Sequence, residues 1–125
     1  MPETQNSKPY NLEERTFLFA KRCRVLVKEL PRTIGNIEDG KQLARSSGST
    51  HANFIEFVET LSKKDGMHRI KICRKEAKES RSWLRLLDTG NVVTLEQECV
   101  VLTNEAEELM RIFGSIIEKS GKSRS

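Results

Sequence analysis

Between Lys63 and Arg85 the chain places nine bases: Lys63, Lys64, Arg69, Lys71, Arg74, Lys75, Lys78, Arg81 and Arg85. Only three acids, Asp65, Glu76 and Glu79, share that stretch. Arg74, Lys78, Arg81 and Arg85 step by four, three and four, so a helix would carry them on one face, with Lys71 and Lys75 beside them. Guanidinium groups hold phosphate bidentately, and each neutralised phosphate releases counterions. Such a face suits a nucleic-acid backbone. A second cluster, Lys21, Arg22, Arg24 and Lys28, lies in the first helical segment. The candidate backbone-binding residues are therefore Lys64, Lys71, Arg74, Lys75, Lys78, Arg81 and Arg85, joined by Lys21, Arg22 and Lys28. The competing reading is a solvated or copy-pairing face, on which Glu76 and Glu79 pair with bases three and four residues away. No RNA or DNA module motif and no exposed aromatic pair is evident, so binding would be led by the backbone and weakly sequence-specific.

Other chemistry lacks its constellation. The chain contains no GxSxG, HExxH, Walker loop or GxGxxG. Its two histidines are His51 and His68, and Asp65-x-x-His68 resembles half of a ferritin-like site. That site needs Glu-x-x-His on two helices plus further glutamates, and Glu-x-x-His does not occur here. His68 reads as a surface residue, His51 as a hydrogen-bonding residue near a helix crossing, and Glu56 with Glu59 as a solvated face. Cys23, Cys73 and Cys99 are odd in number and form no CxxC, so they read as small core thiols. No catalytic residue, metal or cofactor is expected, and the chain reads as a non-enzyme.

The frame for these residues is a chain of 125 residues, 36% hydrophobic and 32% charged, with net charge +4. That is one domain, neither polar nor one-signed enough to be disordered. No apolar run approaches the roughly 18–20 residues of a membrane span, and the polar start resembles no signal peptide, which points to the cytoplasm. Charge is segregated. From Asn91 to Glu118, Arg111 stands alone against Glu96, Glu98, Glu105, Glu107, Glu108 and Glu118.

Apolar spacing supplies the elements. Leu12, Thr16, Phe19, Cys23, Leu26 and Leu30 form one helical face, opened by Asn11 as N-cap and closed by Pro31. A second stripe runs Leu43, Ser47, Thr50, Phe54, Phe57 and Leu61, starting from Thr33 or Asn36. Its first half, Ser46-Ser47-Gly48-Ser49-Thr50, is either a loop or a close helix crossing that needs small side chains; the stripe favours the crossing. Asp65 is a plausible N-cap for a third helix carrying Ile70, Cys73, Ala77, Ser80, Leu84 and Leu87. Asp88-Thr89-Gly90-Asn91 makes a turn, and Thr94 to Gln97 has the form of a capping box. The fourth stripe is Leu95, Cys99, Leu102, Ala106, Leu109, Phe113 and Ile116. The expected fold is all-α, an antiparallel up-down-up-down four-helix bundle over residues 11–119. A flexible N-terminal arm (1–10) and a flexible basic tail (120–125) flank it.

Apolar residues remain outside these stripes. Phe17, Ile72, Trp83, Leu86 and Val101 are the candidate oligomer or partner interface, and they imply a homo-oligomer or a docked protein. A wide monomeric core is the alternative.

Three separated blocks carry a resemblance: Asn11 to Ala20, Lys41 to Ser49 with Ala52-Asn53, and Lys63-Lys64-Asp65 with His68 to Glu79 and Trp83-Leu84. In order, spacing and wording they are similar to the four-helix-bundle family of 23S ribosomal RNA intervening-sequence proteins, over about residues 10 to 118. That family's relatives include the accessory variability protein of diversity-generating retroelements. The resemblance implies a homopentamer with a basic surface that engages nucleic acid and, in the retroelement case, a reverse transcriptase. It implies no catalytic residues. His51 and Phe57 are bulkier than the family's usual residues in the second block. A protein–protein adaptor serving a nucleic-acid enzyme is the alternative role.

Overall fold

Each helix begins where a short polar side chain or a free carbonyl can satisfy its first N–H groups. The computed structural model describes residues 11–122; the expected arm and residues 123–125 of the expected tail lie outside them. Asn11 Oδ1 accepts from the Glu14 N–H at 3.1 Å and opens α1, Leu12–Glu29. Thr33 Oγ1 accepts from the Asn36 N–H at 3.0 Å and opens α2, Ile34–Val58. The third cap is Ser62, whose Oγ accepts from the Asp65 N–H at 3.1 Å, so α3 is Lys63–Leu86 and Asp65 sits in its first turn. Ser62 wins because it precedes the turn that Asp65 belongs to, while Asp65 suits the positive end of the helix dipole from inside. The Val92 carbonyl accepts from the Leu95 and Glu96 N–H groups, at 3.1 and 3.0 Å, and α4 runs Val93–Lys122. Thr94 is thus inside the helix rather than its cap, and the helix continues past residue 119. Gly90 and Asn91, with φ of 65° and 63°, turn the chain ahead of it.

The small-residue segment of α2 is helical throughout, as a close crossing requires. A Cβ on Gly40 would lie 2.8 Å from Val27 Cγ1, and one on Gly48 would lie 2.9 Å from Arg24 Nη2. On the side facing α3, Ser46 Oγ and Ser80 Oγ meet at 2.7 Å, both fully enclosed. Leu61, by contrast, falls beyond the end of α2 and is fully exposed.

Residue pairs between neighbouring helices run in opposite senses. Thr16 meets His51 while Val27 meets Gly40; Ser46 meets Ser80 while Asn53 meets Arg69. Arg81 meets Glu107 while Arg74 lies beside Gly114, and Arg15 meets Glu105 while Arg22 meets Glu98. The result is an antiparallel four-helix bundle in which α1 and α3 occupy diagonal corners. No strand occurs among the described residues. Phe19, Leu26, Leu43, Ile70, Leu84, Leu102, Leu109 and Phe113 fill the centre, and at about 1.5–3 kcal/mol for each large apolar side chain they dominate its stability. At one end a buried Asn36 joins two loops: Nδ2 donates to the Pro31 and Asp88 carbonyls (2.9 and 2.8 Å), and Oδ1 accepts from the Asp88 N–H (2.9 Å).

Candidate nucleic-acid interface

The outer arc of α3 is where the sequence's cations collect. Lys64, Lys71, Arg74, Lys75, Lys78 and Arg85 are exposed there. None of the six makes an ion pair among the described residues. Two of the three acids in the stretch are occupied elsewhere. Glu76 is buried against α2, and both it and Glu79 receive Arg45, at 3.3 and 3.1 Å. The within-helix pairing expected of a merely solvated face is therefore absent at these two glutamates. Arg69 turns to the same flank and donates to Asn53 Oδ1 at 2.8 Å. Arg81 lies on the opposite flank, half-buried, 3.6 Å from Glu107 of α4, with its Nε enclosed and unpartnered.

The cluster on α1 does not join this arc, because α1 stands on the diagonal corner. Lys21 and Lys28 are exposed there. Arg22 donates to both oxygens of Glu98, at 2.9 and 2.6 Å. Arg15, one heptad before it, does the same to Glu105, one heptad after Glu98, at 3.0 and 2.8 Å. Donating to these glutamates holds both guanidinium groups above their usual pKa. Sequence reasoning missed Arg15 and Arg45. The matching seven-residue spacing of the two arginines and the two glutamates was the signal for the first pair.

The other candidate chemistry resolves into packing. Thr16 Oγ1 and His51 Nδ1 lie 2.9 Å apart at the α1–α2 crossing, and the Phe17 ring meets the imidazole edge-on. His68 is exposed near the start of α3. Burial pushes the Cys23 and Cys73 thiols up to about 12, and raises the half-buried Cys99. Among the described residues no three His, Cys, Asp or Glu side chains converge as a metal site, and no helix is long and apolar enough to cross a membrane.

The five candidate interface residues fall on three helices and form no single patch. Phe17 lies beside His51. Ile72 and Trp83 are half-buried on the α2 flank of α3, in register with Glu76 and Glu79, and Trp83 Nε1 is enclosed without a partner. Leu86 and Val101 are exposed on α3 and α4. Val101 sits between Glu98 and Glu105, and Leu18 of α1 sits between Arg15 and Arg22. Two ion pairs thus frame two exposed apolar residues across the α1–α4 seam.

Comparison with known proteins bears on the chain as a whole. None of the curated proteins matches it. A crystal structure of a protein of unknown function from the S23 ribosomal protein family of Bacteroides thetaiotaomicron VPI-5482 is similar to it at 30% identity. The TM-score is 0.73, over 84% of this chain and 96% of that one. The profile of the family described as 23S rRNA-intervening sequence protein matches residues 10–115, nearly all of the four-helix bundle. With the helices in their expected order and both comparisons agreeing, the chain belongs to the 23S rRNA-intervening sequence protein family.

Proposed function

We propose that this protein is a non-catalytic helical bundle that binds the phosphate backbone of nucleic acid through the outer arc of α3. One observation supports the reading above the others. Six exposed bases share that arc without an ion pair among the described residues, while Glu76, Glu79 and Glu107 are turned to its flanks and held there by arginines. Unpaired, hydrated cations in a row are poised to exchange small counterions for phosphates. Lys64, Lys71, Arg74, Lys75, Lys78 and Arg85 would carry the contacts. Arg81 would stand behind them, tethered to Glu107. Arg22, already bidentate to Glu98, drops from the set, and Lys21 and Lys28 would contribute only a general field from the far corner.

The test is charge reversal of Lys71, Arg74 and Lys78 together, read by anisotropy of a labelled structured ribosomal RNA fragment. Removing three phosphate contacts should cost at least 100-fold in affinity at about 100 mM salt and flatten the salt dependence by nearly three in slope. Unchanged binding by a variant of unchanged helicity would sink the reading.

A second reading has its own observation. Leu18, Val25 and Val101, each exposed by nearly half, line the α1–α4 seam, where another protein surface could bury them. Self-association, with the pentamer that the family resemblance implies, or docking to a nucleic-acid-processing partner would use that seam and leave the α3 arc free. Light scattering of a Leu18→Lys, Val101→Lys variant distinguishes these: self-association through the seam predicts a drop in mass.

A further inference from the structure

The same arc says something about the form of its ligand. We infer that the preferred ligand is a duplex, DNA or RNA, touched at phosphates of both strands; this rests on the backbone-binding reading above. The six exposed cations fall in two rows. Lys64, Lys71 and Lys75 step by seven and four; Arg74, Lys78 and Arg85 step by four and seven. The second row lies toward α4, because Arg74 Nη1 comes within 4.0 Å of where a Cβ on Gly114 would stand. The first row lies farther from α4, around the exposed side of the helix. Lys64 and Arg85 are separated by roughly 31 Å at about 1.5 Å rise per residue.

Chemistry on the arc discriminates against a single strand. From Lys63 to Leu86 the sequence contains no Asn, Gln, Thr, Tyr or Phe; besides the cations and serines, the groups that could meet the edge of an unpaired base are Asp65, His68, Glu76 and Glu79, and the last two are held on the α2 flank by Arg45. The aromatic residue of α3, Trp83, is half-buried on the α2 flank with its ring nitrogen enclosed. His68 is a single exposed ring at one end. Proteins that hold single strands combine a basic groove with stacking platforms. This ridge offers no row of rings: the open hollow near its N-terminal end, lined by Lys63, Lys64, Met67, His68 and Lys71, holds the single imidazole. A duplex supplies what the ridge lacks. It is concave along its grooves and already rigid, and it carries one charge per about 1.7 Å of axis. A flexible strand would have to be ordered against its conformational entropy by charge alone. It would also present one line of phosphates to two rows of cations.

The experiment uses the full chain and end-labelled probes of one sequence, about 20 base pairs or nucleotides long, roughly twice what 31 Å covers at 3.4 Å per step. Duplex DNA, duplex RNA and each separate strand are titrated by fluorescence anisotropy between about 50 and 200 mM salt. With six contacts, at least one duplex should show a log–log salt slope near −5, a loss of about 10³-fold across the range. Single strands should bind at least tenfold more weakly at about 100 mM, with a slope nearer −2 from one row of three. The pairs Lys71→Gln with Lys75→Gln and Arg74→Gln with Arg85→Gln should each weaken duplex binding at least tenfold, with circular dichroism unchanged. Comparison of the two duplexes identifies whether DNA or RNA is favoured. Equal affinity for single strands, still lost in both row variants, would overturn the duplex inference and leave the backbone reading intact. Duplex binding lost in only one row variant would overturn the two-strand grip. Binding indifferent to both row variants, or no binding by any probe, would overturn the backbone reading itself.

Discussion

On the α1–α4 seam the two facing arginines, Arg15 and Arg22, each meet a glutamate through two hydrogen bonds; on the outer arc of α3 the six exposed cations make no ion pair among the described residues. Both regions draw their cations from a helix whose sequence is basic, α1 in the seam and α3 on the arc. What separates them is where the acids of the neighbouring helix project. The glutamates of α4 that face α1 close onto its arginines, and the one that meets α3, Glu107, reaches only its inner flank at Arg81. A charge consumed by a neighbour serves the fold. A charge left in water is available to a partner. Net charge alone cannot tell these apart.

The sharpest way to break that contrast is to exchange the consequences. Glu98→Lys together with Glu105→Lys should destabilise the bundle by about 2–4 kcal/mol, because each leaves a partly enclosed arginine facing a like charge. Thermal melting should fall by roughly 10 °C or more, whereas charge reversal on the α3 arc should leave it within a few degrees. Should the arc variants melt early instead, those cations hold structure and the contrast is wrong. Within the seam, the Arg15 side chain is 15% exposed and that of Arg22 is 48% exposed. Arg15→Met should therefore cost about 1–2 kcal/mol in urea unfolding and Arg22→Met less than about 1 kcal/mol.

Alkaline pH separates seam from core. Cys23 and Cys73 are raised from 9.0 to about 12 in the folded protein, so unfolding releases their protons at lower pH. Their contribution is complete below pH 9 and is lost as pH rises from there toward 12, by about 1 kcal/mol per thiol at pH 10. The seam arginines stay charged throughout that window. A Cys23→Ala, Cys73→Ala variant should show a flatter stability profile between pH 8 and 10, in which arginine pairing plays no part. The smallest effect belongs to Glu107→Gln. Freeing Arg81 should strengthen nucleic-acid binding about two- to threefold and steepen the salt slope by up to about 0.9.

Much of the scaffold was legible in the chain. Asn11, Pro31 and the three-and-four stripes marked α1, and Ser46 to Thr50 lay on a stripe because two helices do cross there closely. Local rules misplaced the third and fourth caps, since Ser62 and Asp65 both suit an N-terminus and only backbone geometry chooses between them. The cations of α3 were visible as a set, and their shared arc followed from helical periodicity. Their freedom was not visible. It depends on Arg45, thirty-one residues before Glu76, taking that glutamate away; the loss of Arg22 from the candidate set depends in the same way on Glu98, seventy-six residues downstream. Nor could spacing within α1 or α3 show that their basic clusters occupy opposite corners. Both facts live in the register between helices, which one helix's pattern does not encode.

That register has a specific keeper in Asn36. Stripes of leucine and small residues repeating every seven positions would tolerate one helix sliding past its neighbour by two turns, with one apolar layer exchanged for the next. The amide of Asn36 admits no such exchange. Its two hydrogen bonds to Asp88 exist in one alignment, and a slip would leave a buried amide and the Asp88 backbone without those partners. Replacing Asn36 with leucine would therefore do more than lower stability. It would make misaligned bundles competitive, blurring near-native spectra into an average over several packings, and scattering the cations of α3 relative to α4 among them.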